Sequence, residues 1–162
     1  MKKIFLALIC ATSIFVLRAQ TSDAEAEAIV NLLGVQKKEA IAKMVSVTGK
    51  DSVAFWKLYD AYQNENRQLA KNRIRLYEQT ARAYGNMNAG TADSLAKKYF
   101  ENRLVQEKNL EDYYKKIKSA TSAITAFEFY QAEVYLLTQI RASIMQQIPT
   151  YGEFKAAVQK KN

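Results

Sequence analysis

Histidine is absent from this sequence. With it go the commonest general base, the usual zinc ligand and any Ser-His arrangement. Cysteine occurs once, as Cys10, inside an N-terminal apolar run that reads as a cleaved leader. A mature chain without it could use neither thiol catalysis nor disulfides and would be held by its core alone. Proline also occurs once, as Pro149, and there are only five glycines. A β-sheet protein needs turn residues at far shorter intervals. Neither a G-x-G-x-x-G fingerprint nor a P-loop is present, so the usual nucleotide cradles are missing too.

The N-terminus carries its own signals. Lys2 and Lys3 precede an apolar run from Ile4 to Leu17, broken only by Thr12 and Ser13. At roughly 14 residues the run suits the h-region of a signal peptide and is shorter than the ~20 residues that span a bilayer. Ala19 supplies the small residue a signal peptidase requires, which places the cut before Gln20, although Arg18 is unusual beside such a site. A lipoprotein signal fits less well, because Ile9 stands before Cys10 where a small residue is needed. The formal net charge is +8, and Lys2, Lys3 and Arg18 carry three of those charges, leaving +5 after processing. The expected organisation is a signal peptide over 1–19, one helical domain over 20–149 and a flexible basic tail over 150–162.

The mature sequence is rich in Ala, Leu, Lys, Glu, Gln and Arg, which favour helix. Gly49, Gly85, Gly90 and Pro149 cut it into long uninterrupted stretches. Four helices are expected. The first covers 23–45, with Ser22 as N-cap and a face of Ile29, Leu33, Gln36, Ala40, Met44 and Val47. The second covers 49–84 behind Thr48 and carries two stripes. One holds Phe55, Leu58, Tyr62, Leu69, Leu76 and Ala83; the other holds Trp56, Tyr59, Ala70, Tyr77, Ala81 and Tyr84. After a turn over 85–90, Thr91 caps a third helix to Lys118, whose stripe is Ala96, Phe100, Leu104, Leu110, Tyr114 and Ile117. The fourth starts near Thr121 or Ser122 and stops at Pro149. Phe127, Tyr130, Val134, Leu137, Ile144 and Ile148 form its face, widened by Phe129, Leu136 and Ile140. Glu65, Asn72, Glu107 and Arg141 interrupt the stripes, which argues against a continuous two-stranded coiled coil. The expected fold is all-α, with two long helices, as an elongated antiparallel bundle or a cradle-like helical hairpin.

Sites for chemistry are scarce. The carboxylate pairs Glu25/Glu27, Glu111/Asp112 and Glu128/Glu133 are adjacent or nearly so, whereas glycosidase chemistry needs two carboxylates across a cleft. Only a hard-cation site built from Glu and Asp would be left to a metal. The reading is of a protein that is not an enzyme, with no cofactor and no metal site. Basic residues cluster at Arg67, Lys71, Arg73, Arg75 and Arg82, and again at Lys97, Lys98, Arg103, Lys108, Lys115, Lys116 and Lys118. Because acids are interspersed, they read as a solvated helical face rather than a nucleic-acid track; the rival is a cationic concave surface for acidic clients or anionic lipid heads. Ten tyrosines are present. They serve either as core-edge residues with a buried ring and a wet hydroxyl, or as an adaptable contact surface. In the second case the candidate client-contact residues are Tyr99, Arg103, Tyr113, Tyr114, Lys115 and Lys116.

Phe55-Trp56 followed by Tyr59 and Tyr62, then two long charged helices around a turn, then Phe127-Glu128-Phe129-Tyr130 leading to Gln147-Ile148-Pro149, resemble the small periplasmic proteins of the Spy/CpxP-like group. Val35-Gln36-Lys37-Lys38 leading to Val47-Thr48-Gly49-Lys50-Asp51 is similar to uncharacterised relatives in that group. The group's Leu-Thr-x-x-Gln pattern combines a staple residue, a capping Thr and a Gln that reaches back to the cap. Val47-Thr48-Gly49-Lys50-Asp51 keeps that logic with different residues. At Thr91 the flanking positions are Gly90 and Ser94, and Leu137-Thr138 lies mid-helix. The resemblance implies a cradle-like helical protein that holds unfolded proteins without ATP or damps an envelope-stress sensor. Metal sensing through His does not carry over. The expected partners are proteins: non-native clients, or a single envelope sensor as the alternative. A structural helical module without a client is the third reading. A homodimer is also expected, because the interrupted stripes leave apolar surface to cover.

Overall fold

The computed structural model describes residues 23–147. Within them the chain forms four α-helices: α1 (Asp23–Met44), α2 (Gly49–Ala83), α3 (Ala89–Ala120) and α4 (Ala123–Gln147). A single 3-10 turn, Tyr84–Asn86, helps join α2 to α3. Among the described residues no helix is long and apolar enough to cross a membrane. The leader, the Ser22 cap and the tail expected at 150–162 lie outside the described residues.

The helix ends follow local chemistry. At 35 residues and 1.5 Å per residue, α2 is a rod of roughly 50 Å. Its N-cap position is Thr48, as expected, but the hydroxyl makes no capping hydrogen bond. Gly49 follows at φ +56°, a left-handed conformation that side chains with a Cβ disfavour. It interrupts the extended-to-helical step through which a threonine hydroxyl reaches the first-turn amides. The cap of α3 is Asn88, not Thr91: Asn88 Oδ1 accepts from the Thr91 backbone N–H at 3.0 Å. Thr91 thus gives the amide three residues into the motif while Asn88 provides the acceptor. Ser122 caps α4 by accepting from Thr125 N–H at 3.0 Å.

Side-chain bonds between helices set the topology. On α1 and α2, Gly34 pairs with Gln63 and Lys38 with Asp60. On α2 and α3, Glu65 pairs with Tyr113, Arg73 with Asn102 and Thr80 with Tyr99. Between α1 with the connection that follows it and α4, Lys37 pairs with Glu133 and Ser46 with Glu128. In each series the number rises on one element as it falls on the other. The result is an up-down-up-down bundle in which α1 closes against α4. The most extensive pairing is α2 with α3.

The core lies where all four helices meet. Ile41 of α1 and Val45 just after it, Phe55, Tyr59 and Tyr62 of α2, Leu110, Tyr113 and Ile117 of α3, and Ala126, Phe129 and Ala132 of α4 form one cluster. Phe129 is its hub, with ring centroids 6.3, 6.2 and 5.3 Å from Phe55, Tyr59 and Tyr62. Several expected faces are corrected here. Among the described residues of α1 and its C-terminal end the buried ones are Lys37, Ile41 and Val45, one position beyond the expected Gln36, Ala40 and Met44. On α2 the two stripes merge into one built on Phe55, Tyr59, Tyr62, Asn66, Leu76 and Tyr77. On α3, Leu95, Asn102 and Tyr113 are buried, while Phe100 and Leu104 are exposed. On α4 the buried face is Thr125, Ala126, Phe129, Ala132 and Glu133, and the expected Phe127, Tyr130 and Val134 lie outside. The physical reason is crowding at the helix contact. The small Ala126 and Ala132 let α4 approach closely, which a face of large side chains would prevent.

Candidate functional site

The most unusual chemistry of the molecule is in its interior. Glu133 of α4 is fully buried. Its Oε2 accepts from Lys37 Nζ at 2.9 Å and from the Tyr62 hydroxyl at 2.9 Å, and its Oε1 accepts from the Tyr59 hydroxyl at 3.3 Å. Lys37 is itself buried and stands 5.3 Å from the centroid of the Tyr62 ring. The charge is therefore paired and solvated by protein donors, as a charge removed from water must be. The carboxylate and both tyrosines lie fully enclosed in the core. Of the other paired carboxylates, Glu128 accepts from the Ser46 N–H at 3.0 Å across the bundle, and Glu111 and Asp112 bind Lys108 within α3.

The tyrosines around this network have hydroxyls that resist ionisation. Burial raises Tyr59 and Tyr62 well above the usual tyrosine value, and the Glu133 charge adds to it. Tyr113 is pushed up to about 12, by burial first and then by Glu65, to which its hydroxyl donates at 2.6 Å. Unfolded tyrosines ionise near 10. A raised folded-state value means that the native state holds these protons more tightly. Stability is then full below pH ~10 and is lost as pH rises toward and through the folded values. With three such groups, the slope above pH ~10 is expected to approach about 4 kcal/mol per pH unit. Urea titrations at rising alkaline pH would measure it, and a midpoint that does not move between pH ~9 and ~11 would refute it.

The six expected contact residues do not share one surface. Tyr113 is 2% exposed and belongs to the core. Tyr99 turns toward α2, bonded to the Thr80 hydroxyl at 2.9 Å beneath the Arg73 guanidinium. Lys116 stands 3.9 Å from the Tyr113 ring centroid, and Lys115 pairs with Glu111. Arg103 is exposed and 4.0 Å from Glu107. Only Tyr114 borders an open groove. Successive helical residues are about 100° apart, so Tyr114 and Lys115 turn away from the face that Tyr113 and Lys116 share, and the four do not form one patch.

The groove lies between α3 and α4. Glu107, Leu110, Glu111, Tyr114, Phe127 and Tyr130 line a volume of about 360 Å³. Phe100 and Leu104 share the α3 face that carries Glu107, Glu111 and Tyr114, at alternating three- and four-residue steps. They are 68% and 70% exposed. Phe127, Tyr130 and Val134 give α4 a matching row, also exposed. Large apolar residues concentrated along one helix pair are the kind of surface that marks interaction sites. Along α3 the charges are mostly paired within the helix: Lys97 with Glu101 at 3.9 Å, Arg103 with Glu107 at 4.0 Å and Lys108 with Asp112 at 2.9 Å. The surface is therefore amphipathic and mixed in sign rather than uniformly cationic. Its sequence signal was the surplus stripe: Phe100, Leu104, Phe127, Tyr130 and Val134 show the right periodicity for core positions that the bundle has no room to bury.

Among the described residues no group of three or more His, Cys, Asp or Glu side chains is placed to hold a metal ion. Compared with family models, curated proteins and solved structures, the chain matches none.

Proposed function

We propose that this chain is a periplasmic, ATP-independent binding protein. In this reading it is chaperone-like and holds non-native or acidic protein segments along the α3–α4 groove. The observation that carries it is the exposed row of Phe100, Leu104, Phe127, Tyr130 and Val134 beside ion-paired Lys and Arg. An apolar row takes up the exposed hydrophobic residues of a non-native chain, while the charged rim, mixed in sign, keeps the complex soluble. The leader-like N-terminus and the resemblance to Spy/CpxP-like proteins support the compartment.

The test is suppression of aggregation. Purified processed protein in stoichiometric excess is expected to slow aggregation of several unrelated denatured clients. A Leu104→Asn/Phe127→Asn variant is expected to lose most of that effect while keeping its helicity. No slowing of any client would refute the reading. Capture from an envelope extract separates the two kinds of partner: many proteins fit a holding function, whereas one dominant partner fits a regulator of an envelope sensor. Light scattering on the same sample reports whether a second copy covers the groove as a homodimer.

A further inference from the structure

Two arginines from different helices are fastened to one face of α3. Arg73 of α2 donates through Nε to Asn102 Oδ1 at 2.7 Å, and its guanidinium lies 5.5 Å from the Tyr99 ring centroid. Arg141 of α4 donates through Nη2 to Gln106 Oε1 at 2.6 Å. Asn102 and Gln106 are one helical turn apart, so their side chains lie about 5–6 Å from each other on the same face. Asn102 is itself fixed, since its Nδ2 donates to the Leu69 carbonyl at 3.1 Å. The anchors are neutral amide oxygens, which orient each guanidinium without neutralising it.

Among the described residues the charges around them do not balance. Arg73 and Arg103 press the Arg141 guanidinium below its usual value, after burial, and the carboxylate that opposes them is Glu107. Glu107 already faces Arg103 at 4.0 Å. Among the described residues, three guanidinium groups face one carboxylate, which leaves two positive charges. In addition, Arg73 Nη2 is buried with no hydrogen-bond partner. A half-buried cationic cluster with a spare donor is satisfied by an oxyanion. Guanidinium forks bind such an anion through paired N–H groups.

We propose that Arg73 and Arg141 form a binding site for a phosphate-class dianion, with exposed Arg103 at its entrance. Two excess positive charges match the charge of a hydrogen phosphate or a phosphomonoester near neutral pH. A tetrahedral anion also offers separate oxygens to forks that approach from different helices. The anion is either free phosphate or the monoester headgroup of a lipid. The site does not depend on the apolar groove, so it stands or falls separately from the holding function.

Calorimetric titration of the processed protein with inorganic phosphate at low ionic strength provides the test, with vesicles containing phosphatidic acid as a parallel arm. Saturable one-to-one binding with a Kd below about 1 mM is expected. The R73K/R141K variant keeps every charge and loses both forks, and is expected to bind about tenfold more weakly. K115Q/K116Q removes two surface charges and is expected to leave phosphate binding within about twofold of the native protein. Binding in the free-phosphate arm assigns a soluble anion. Binding confined to the vesicle arm and lost in R73K/R141K assigns a headgroup. Should the double variant not fold by circular dichroism, the partly exposed Arg141→Lys substitution alone is expected to weaken binding at least about threefold. The proposal is overturned by no saturable binding in either arm up to about 10 mM phosphate, or by native affinity in the variant that lacks the forks.

Discussion

Lys37→Met is expected to lower the stability of the folded protein by about 3–5 kcal/mol, because it leaves the Glu133 carboxylate buried without its counter-charge. Glu133 is fully buried, and only the Tyr59 and Tyr62 hydroxyls would remain to it. Two hydroxyl donors cannot replace an ammonium ion 2.9 Å away in a medium that screens charge poorly. For a domain whose total stability is about 5–15 kcal/mol, such a loss brings partial unfolding within reach at room temperature. Removing the carboxylate as well separates charge from shape. In Lys37→Met/Glu133→Leu the ion pair is gone, but the Tyr59 and Tyr62 hydroxyls are orphaned in the core, at about 1–3 kcal/mol each. Adding Tyr59→Phe and Tyr62→Phe makes the network wholly apolar, and that fourfold variant is expected to recover to near-native stability or beyond. Urea midpoints of the four proteins give the series. A single Lys37→Met that costs less than about 1 kcal/mol would show that the pair is not held in the interior as the geometry has it.

The second large effect contrasts two phenylalanines on one helix. Phe129→Ala is expected to cost about 3–5 kcal/mol, from lost burial and the cavity left among Phe55, Tyr59 and Tyr62. Phe127→Ala, two residues earlier, removes a ring that is 55% exposed. Its effect on stability is expected to stay within about 0.5 kcal/mol, as is usual for surface substitutions. If the groove binds protein, the functional ranking is the reverse: Phe127→Ala weakens client holding and Phe129→Ala does so only through unfolding. Thermal melts measured beside aggregation assays would separate the two. Equal stability losses at the two positions would contradict the assignment of which face of α4 is buried.

Both predictions turn on a distinction that periodicity alone could not make. The sequence placed Phe127 and Phe129 together on a widened apolar face. It also treated Glu133 as half of an acidic pair beside Glu128. Neither reading could see that Glu133 is met by Lys37 from 96 residues away and by Tyr62 from 71 residues away. Similarly, Tyr113 and Tyr114 read as one patch, although one is a core residue and the other borders the groove. Thr91 fitted a capping motif, but Asn88 stands three residues before it and is the actual acceptor.

The sequence by itself determined the helical class, the number of helices among the described residues and the places where they break. These are local properties: side-chain entropy, backbone freedom at Gly49 and capping chemistry act within a few residues of where they occur. Tertiary structure decided which of the competing apolar stripes is covered. Each long helix carries more apolar surface than one layer of neighbours can bury, and the choice falls where the small residues Ala126 and Ala132 allow close approach and where one register satisfies every donor to Glu133. Once that register is taken, Phe100, Leu104, Phe127, Tyr130 and Val134 are left to solvent, and the surface proposed to bind protein is what remains.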